Sequence, residues 1–109
     1  MITPLTYTIL LALADGDRHG YGIIKEIEAR LGPAAAPSTG ALYLALQRME
    51  NEGLVTESPA LPGPDEDARR RYYRITRRGR EAVRTESARL AALVETARQK
   101  KLLPRRADA

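Results

Sequence analysis

The chain contains no cysteine, no tryptophan and no phenylalanine. Without cysteine it can form neither disulfides nor thiolate metal sites, which fits a reducing compartment. With tyrosine as its only large aromatic residue, it offers poor support for a broad aromatic slot that binds flat cations. It also lacks an apolar run of membrane-spanning length and a basic segment near its start. We therefore expect an unprocessed cytoplasmic protein that does not bind a membrane.

Histidine is almost absent too, since His19 is the only one. It lies in a turn beside a glycine, where a helix-capping hydrogen bond is favoured over a ligand or pH-sensing role. Metal ligands are not clustered, and there is no Ser/His/Asp constellation and no phosphate-binding glycine loop. We therefore expect no catalytic residue, no metal and no cofactor, so the chain is not predicted to be an enzyme.

Positive charge is scarce in the first part of the chain and concentrated in the second. Residues 1–68 hold four Lys/Arg against ten Asp/Glu, whereas residues 69–109 hold fourteen against four. The basic part is the candidate surface for a polyanion, although solvated charge on an exposed helix accounts for several of its arginines. The tight cluster of Arg69, Arg70 and Arg71 beside two tyrosines is harder to explain in that way.

Apolar spacing predicts three helices in the first half of the chain. The first runs from about Thr3 to Ala14 and the second from about Tyr21 to Leu31. The third follows the N-cap Ser38 and ends near Glu52, with Gly53 as its left-handed stop. The residues expected to face inward are Leu5, Ile9, Leu10 and Leu13, then Ile23, Ile24, Ile27 and Leu31, then Leu42, Ala45, Leu46 and Met49.

A two-stranded hairpin follows the third helix. Leu54 to Thr56 is predicted as one strand and Arg69 to Ile75 as the returning strand, joined by a loop rich in proline. On the returning strand, Tyr73 and Ile75 should cover the core, while Tyr72 stays exposed to phosphate or sugar. Three helices followed by a basic hairpin are typical of a winged helix-turn-helix that binds DNA.

The last segment is predicted to be a long helix that Thr76 caps and that ends near Leu103. Its roughly 27 residues would span on the order of 40 Å, more than a small three-helix core can cover. Its apolar stripe therefore favours a homodimer, packed partly on the first helix because Ser87 and Lys101 interrupt a strict heptad. The predicted dimerisation residues are Leu5, Ile9, Val83, Leu90, Leu93, Val94 and Ala97.

Four ordered motifs carry a resemblance to the PadR family of bacterial transcriptional regulators over roughly residues 5–82. They are His19-Gly-Tyr-Gly22, the pattern Ser-x-Gly-x-Leu-Tyr-x-x-Leu-x-x-Met-Glu at 38–50, Glu52-Gly-Leu-Val55, and Arg71-Tyr-Tyr-Arg-Ile-Thr-Arg-Arg-Gly79. The resemblance implies a homodimeric winged-helix repressor on a palindromic operator, released by a small molecule or another signal. It divides the chain into a mainly α DNA-binding domain with a small β-hairpin wing at 1–76, a dimerisation helix at 77–103 and a disordered basic tail at 104–109.

The predicted partners are double-stranded DNA, a second copy of the chain and a small-molecule effector. Phosphate contacts are expected from Lys25, Arg70 and Arg71, with Arg74 as a further candidate, and base contacts from the open face of the third helix. The full set of predicted DNA-binding residues is Tyr21, Lys25, Ser38, Thr39, Gly40, Tyr43, Gln47, Arg48, Arg69, Arg70, Arg71 and Tyr72.

Several alternatives stay open at this point. Tyr43 is equally well explained as a half-buried helix aromatic, and an ion pair with Glu52 could hold Arg48 off the groove. Tyr7 belongs either to the core or to an effector pocket between the first and last helices. The acidic triplet Asp65-Glu66-Asp67 is expected to pair with Arg69–Arg71 or to point away from DNA.

Two further features separate this chain from its expected relatives. Leu44 stands where such proteins frequently have proline or a basic residue, so the groove-facing surface is less polar and an operator preference cannot be transferred. The acidic first half also permits a second function, a winged-helix module that binds another protein and has little specific affinity for DNA.

Overall fold

The computed structural model describes residues 2–58 and 71–104. Within these two ranges the chain folds into four α-helices and three short strands, with a 3-10 turn at Pro33–Ala35. This confirms the predicted mainly helical winged fold. In chain order the elements are α1 (Pro4–Leu13), β1 (Arg18–His19), α2 (Gly20–Leu31), α3 (Thr39–Asn51), β2 (Val55–Ser58), β3 (Tyr72–Ile75) and α4 (Arg77–Gln99).

The sheet has one strand more than the predicted hairpin. The strands are antiparallel in the order β1-β3-β2, so Tyr73 in the centre lies opposite Arg18 on one side and Glu57 on the other. A two-residue strand such as β1 has no periodicity that a sequence pattern could reveal. The returning strand begins at Tyr72, and the predicted start at Arg69 and Arg70 lies outside the described residues.

The core lies between the first three helices and the buried face of the sheet. The inward positions predicted for α3 are confirmed, and Tyr73 and Ile75 cover the core as expected. Leu31 was predicted to face inward, and this is wrong, because it ends α2 with 56% of its surface exposed. The buried apolar residues are Ile9, Leu10, Ala12, Leu13, Ile23, Ile27, Leu42, Ala45, Leu46, Met49, Leu54, Val55, Tyr73, Ile75 and Val83.

The ends of the helices follow from side-chain caps and backbone reversals. The hydroxyl of Thr76 accepts the Gly79 N–H at 3.0 Å and so starts α4 as predicted. Gly53 ends α3 with a φ of 77°, a conformation that costs glycine little. The long helix ends at Gln99, earlier than the predicted Leu103, because the chain reverses at Lys101 with a φ of 63°.

Two predicted dimerisation residues belong to the core of the single chain. Ile9 is fully buried, and Val83 is only 8% exposed where α4 packs on the rest of the fold. Their assignment to a surface between two copies is therefore corrected. Leu5 is half-buried against the same core.

None of the helices within residues 2–58 and 71–104 is long and apolar enough to cross a membrane.

Candidate nucleic-acid interface

The N-terminus of α3 is built as a polar, accessible helix start. The Ser38 hydroxyl accepts the Ala41 N–H at 3.2 Å, which satisfies one of the amides that the first turn leaves without a helical partner. With Leu42, Ala45, Leu46 and Met49 of α3 buried, the opposite side of the helix faces outward. The exposed residues on and beside that side include the predicted base-contacting positions Thr39, Gly40, Tyr43, Gln47 and Arg48.

Tyr43 joins α3 to the start of α2. Its hydroxyl lies against Gly20, where a Cβ would collide with the tyrosine ring, so only glycine permits this close approach. The Tyr43 side chain nevertheless keeps 43% of its surface exposed. Tyr43 is therefore a half-buried helix aromatic that packs between α2 and α3, and its exposed part lies on the outer face, where a DNA contact stays a prediction.

An aromatic cluster links the start of α2 to the wing strand. His19 Nδ1 accepts the Gly22 N–H at 2.9 Å, which confirms the predicted capping role. The imidazole meets the edge of Tyr72, with ring centroids 5.3 Å apart, and stacks beside Tyr21 at 6.4 Å. Tyr72 is accordingly half-buried and not freely exposed as predicted.

Lys25 extends this cluster along α2 with a positive charge. Its Nζ lies 5.2 Å from the centre of the Tyr21 ring, a distance at which a cation is attracted to the aromatic face. A hydrogen bond with Tyr21 and the nearby carboxylate of Glu28 raise the pKa of Lys25. The ammonium group is exposed and charged at neutral pH, as a phosphate contact requires.

The base of the wing is held by a carboxylate that sequence reasoning missed. Asp17 accepts the Ser58 hydroxyl at 2.5 Å and the Arg74 guanidinium at 2.8 Å. These two hydrogen bonds, that of Arg74 first, lower the pKa of Asp17. Arg74, the further candidate for a phosphate contact, is engaged within the chain. No local pattern could have paired residues this far apart in sequence.

A groove of about 440 Å³ separates α3 from the wing. Arg71 forms an ion pair at 3.4 Å with Glu57 of β2, and its side chain remains mostly exposed. Glu50 adds a second carboxylate, so this groove is less suited to phosphate than the outer surfaces beside it. The residues that line it are Tyr43, Gln47, Glu50, Asn51, Glu57, Arg71 and Tyr73.

The remaining predicted interface residues divide into two groups. Arg48 lies 3.9 Å from Glu52, as the ion-pair alternative required, and both side chains are about half exposed. Arg69, Arg70 and the acidic triplet Asp65-Glu66-Asp67 lie outside the described residues. In the part of the chain that the structure describes, no group of three or more His, Cys, Asp or Glu residues is arranged to hold a metal ion.

Two features of α1 and α4 bear on the predicted dimer and effector sites. The Tyr7 hydroxyl lies 2.8 Å from the Ser87 hydroxyl, so Tyr7 bridges the two helices within one chain. Further along α4, Leu93 and Val94 are 54% and 38% exposed. Leu90 and Ala97 beside them are half-buried, so the end of the stripe has an uncovered apolar surface.

Comparison with known proteins provides a family assignment for most of this fold. The family model for the transcriptional regulator PadR-like family matches residues 9–85. An uncharacterised 37.1 kDa protein in transposon TN4556 of Streptomyces fradiae is 39% identical over 85 residues, which are 78% of this chain and 22% of that protein. The chain therefore spans about a fifth of that relative's length.

Solved structures share the fold at lower sequence identity. A PadR family transcription regulator from Clostridium difficile superposes with a TM-score of 0.74 at 24% identity, covering 89% of this chain and 97% of that one. Bacillus subtilis PadR, crystallised in complex with operator DNA, gives a TM-score of 0.63 at 24% identity, covering 76% of this chain and 46% of that one. At these identities the similarity establishes the fold.

Proposed function

The chain belongs to the PadR-like family of transcriptional regulators, and we propose that it is a sequence-specific DNA-binding repressor that acts as a homodimer on a palindromic operator. The family consists of regulators of transcription and not of enzymes. The complex of Bacillus subtilis PadR with operator DNA supports DNA as the partner of this chain as well. The protein-interaction module is the competing function that the experiment below separates from it.

One observation carries the proposal: the open face of α3 lies beside two exposed basic side chains, Lys25 and Arg71, each paired with a carboxylate of its own chain. Tyr43 contacts the start of α2, which leads to Lys25, and it also lines the groove beside Arg71. Helix faces of this kind enter the major groove while basic flanks contact the backbone. In this arrangement Lys25 and Arg71 bind phosphates, while Thr39, Tyr43 and Gln47 contact bases. Arg70, which lies outside the described residues, is proposed as a further phosphate contact from the sequence alone.

Dimerisation is proposed through the second half of α4. Leu93 and Val94 present apolar surface that a second copy of the same helix can cover, with Leu90 and Ala97 beside them. Two copies related by a two-fold axis would place two α3 helices on two half-sites of a palindrome. The operator symmetry therefore follows from the symmetry of the protein.

Release by a small molecule or another signal is proposed to act where α1 meets α4. The contact between Tyr7 and Ser87 lies less than one helical turn before Leu90, where the uncovered stripe begins. A ligand that changes this contact would shift α4 relative to the DNA-binding domain. Tyr7 is the residue that we propose lines such an effector site.

The test is fluorescence anisotropy with the DNA upstream of the protein's own gene and with a scrambled duplex of equal length, each at several salt concentrations. We expect tighter binding to the upstream duplex and a steep fall in affinity with salt. Arg71→Ala should weaken binding to both duplexes and reduce the salt slope by about one for each phosphate that the variant no longer binds.

The matched control is Arg84→Ala, which removes an equal charge from an exposed position of α4 away from the apolar stripe. It should leave the salt slope unchanged. Weak and equal binding of both duplexes, followed by failure to select any preferred sequence from a random library, would contradict the repressor and favour the protein-interaction module. An unchanged slope for Arg71→Ala would remove the wing from the proposed mechanism.

A further inference from the structure

Leu44 is an apolar side chain at the centre of the outer face of α3. At about 100° per residue it lies roughly 200° around the helix from the buried Leu42, on the opposite side from the core. It has 69% of its surface exposed, more than either neighbouring helix aromatic, Tyr21 or Tyr43. Packing within the chain therefore does not account for a leucine at this position.

The position one turn before Leu44 is bare. A Cβ built on Gly40 would meet nothing within 4 Å, so the surface over that glycine is open. Helical side chains lean toward the N-terminus, so Leu44 projects on the side of Gly40 while leaving the surface of that glycine uncovered. The exposed Leu44 side chain and the open backbone at Gly40 are the surface that we call the Leu44 ledge.

A polar side chain adjoins the Leu44 ledge on its C-terminal side. Gln47 follows Leu44 by three residues and is exposed, so the two side chains are neighbours on the helix surface. A glutamine amide can bond to N6 and N7 of adenine in the major groove. The only apolar group that the standard bases present there is the C5 methyl of thymine. An A·T pair offers both features.

We propose that the Leu44 ledge is a specificity-determining element that contacts a thymine methyl group in each half-site, with Gln47 on an adenine of the same or the adjacent base pair. This inference rests on the proposed DNA-binding function and adds to it the chemical class of base that the centre of α3 selects. It predicts an operator with an A·T pair at a fixed position in each half-site. The contact with the thymine methyl group depends on the leucine that this chain has at position 44.

The experiment first selects preferred duplexes from a random library with the full chain. Each thymine of the selected site is then replaced by uracil, which removes only the methyl group. We expect about a fourfold loss of affinity at one thymine position per half-site, from the loss of one buried methyl. Leu44→Ala should reduce the ratio between thymine and uracil duplexes to about one and bind the uracil duplex as the unmodified chain does.

Two control variants make the result specific. Leu31→Ala truncates another exposed leucine, at the end of α2, and should preserve the thymine-to-uracil ratio. Gln47→Ala should weaken the preference for adenine but leave the ratio of affinities for the thymine and uracil duplexes unchanged. Because Leu44 is exposed, its truncation should leave the thermal unfolding midpoint unchanged, and circular dichroism verifies that the variant is folded.

Three outcomes decide the inference. If replacing any thymine of the selected duplex by uracil leaves the affinity unchanged, Leu44 does not contact a thymine methyl group. The inference is then wrong, and the proposed DNA-binding function is unaffected. A Leu44→Ala variant that loses the same affinity on thymine and uracil duplexes also overturns the inference. A library in which no sequence is enriched overturns both the inference and the proposed function, and so is distinguishable from the first two results.

Discussion

In the first half of α4 the helix lies directly against the backbone of its own chain, whereas in its second half the apolar side chains are uncovered. Gly79 contacts the Leu54 carbonyl, and Val83 is 8% exposed. About three turns after Val83, Leu93 and Val94 have more than a third of their surface exposed. An apolar stripe continues through both halves, so periodicity identifies a face that packs but not the partner that covers it.

The largest expected effect comes from Gly79→Ala, which tests the packed half. The added Cβ would collide with the Leu54 carbonyl, so the start of α4 must move away from the core. We expect the free energy of unfolding to fall by about 3 kcal/mol, as measured by urea denaturation. Gly40→Ala is the matched control, since open space surrounds that glycine. A loss of stability in the control equal to that of Gly79→Ala would contradict the proposed collision.

A smaller effect is expected from the double substitution Leu93→Ala with Val94→Ala, which tests the uncovered half. Truncating two side chains that a second copy would cover should weaken the dimer by about 2 kcal/mol, or roughly thirtyfold. Sedimentation velocity over a range of protein concentrations measures the change. Unfolding of the isolated subunit should stay the same, because neither side chain is buried in one chain. If the unmodified protein is a monomer, a second copy does not cover the second half of α4. Leu93 and Val94 would then need another partner.

The smallest expected effect concerns Asp17, whose contacts lie wholly within one chain. Asp17→Asn removes the charge that binds Arg74 and should lower stability at neutral pH by about 1 kcal/mol. The pKa of Asp17 is lowered in the folded state from an ordinary value of 3.8. Its contribution is therefore present above about pH 4 and is lost as the pH falls through the lowered pKa.

Urea denaturation at several pH values checks this prediction. The difference between the unmodified chain and Asp17→Asn should narrow as the carboxylate becomes protonated below pH 4. The dimer dissociation constant should not change, because Asp17 contacts the wing and not α4. A difference that stays constant down to the acid limit would show that folding does not lower the pKa of Asp17, and would contradict its pairing with Arg74.

Local rules predicted the helix starts and the core of α3 correctly. Ser38 and Thr76 are caps because a hydroxyl can satisfy the amides of a first turn, whatever the rest of the fold does. Leu42 and Met49 are buried because helical spacing places them on one face. Capping and helical spacing together also predicted which residues of α3 form the exposed face of the candidate site.

Contacts between distant segments could not be predicted in this way. The pairing of Asp17 with Arg74 depends on the approach of β1 to β3, and β1 itself exists only because β3 lies beside it. Leu31 has the right period for burial but extends beyond the elements that could cover it. The end of α4 depends on a lysine in the left-handed conformation, which no sequence rule anticipates.

The contact of Tyr43 with Gly20 has a mechanical consequence. Since the end of the tyrosine ring lies over a backbone position without a side chain, α2 and α3 approach each other closely at this point. If the chain dimerises as we propose, the distance between the two DNA-binding domains of the dimer would depend on α4. We expect a signal that acts on this protein to alter that distance, so that one domain stays in register with its half-site while the other is displaced.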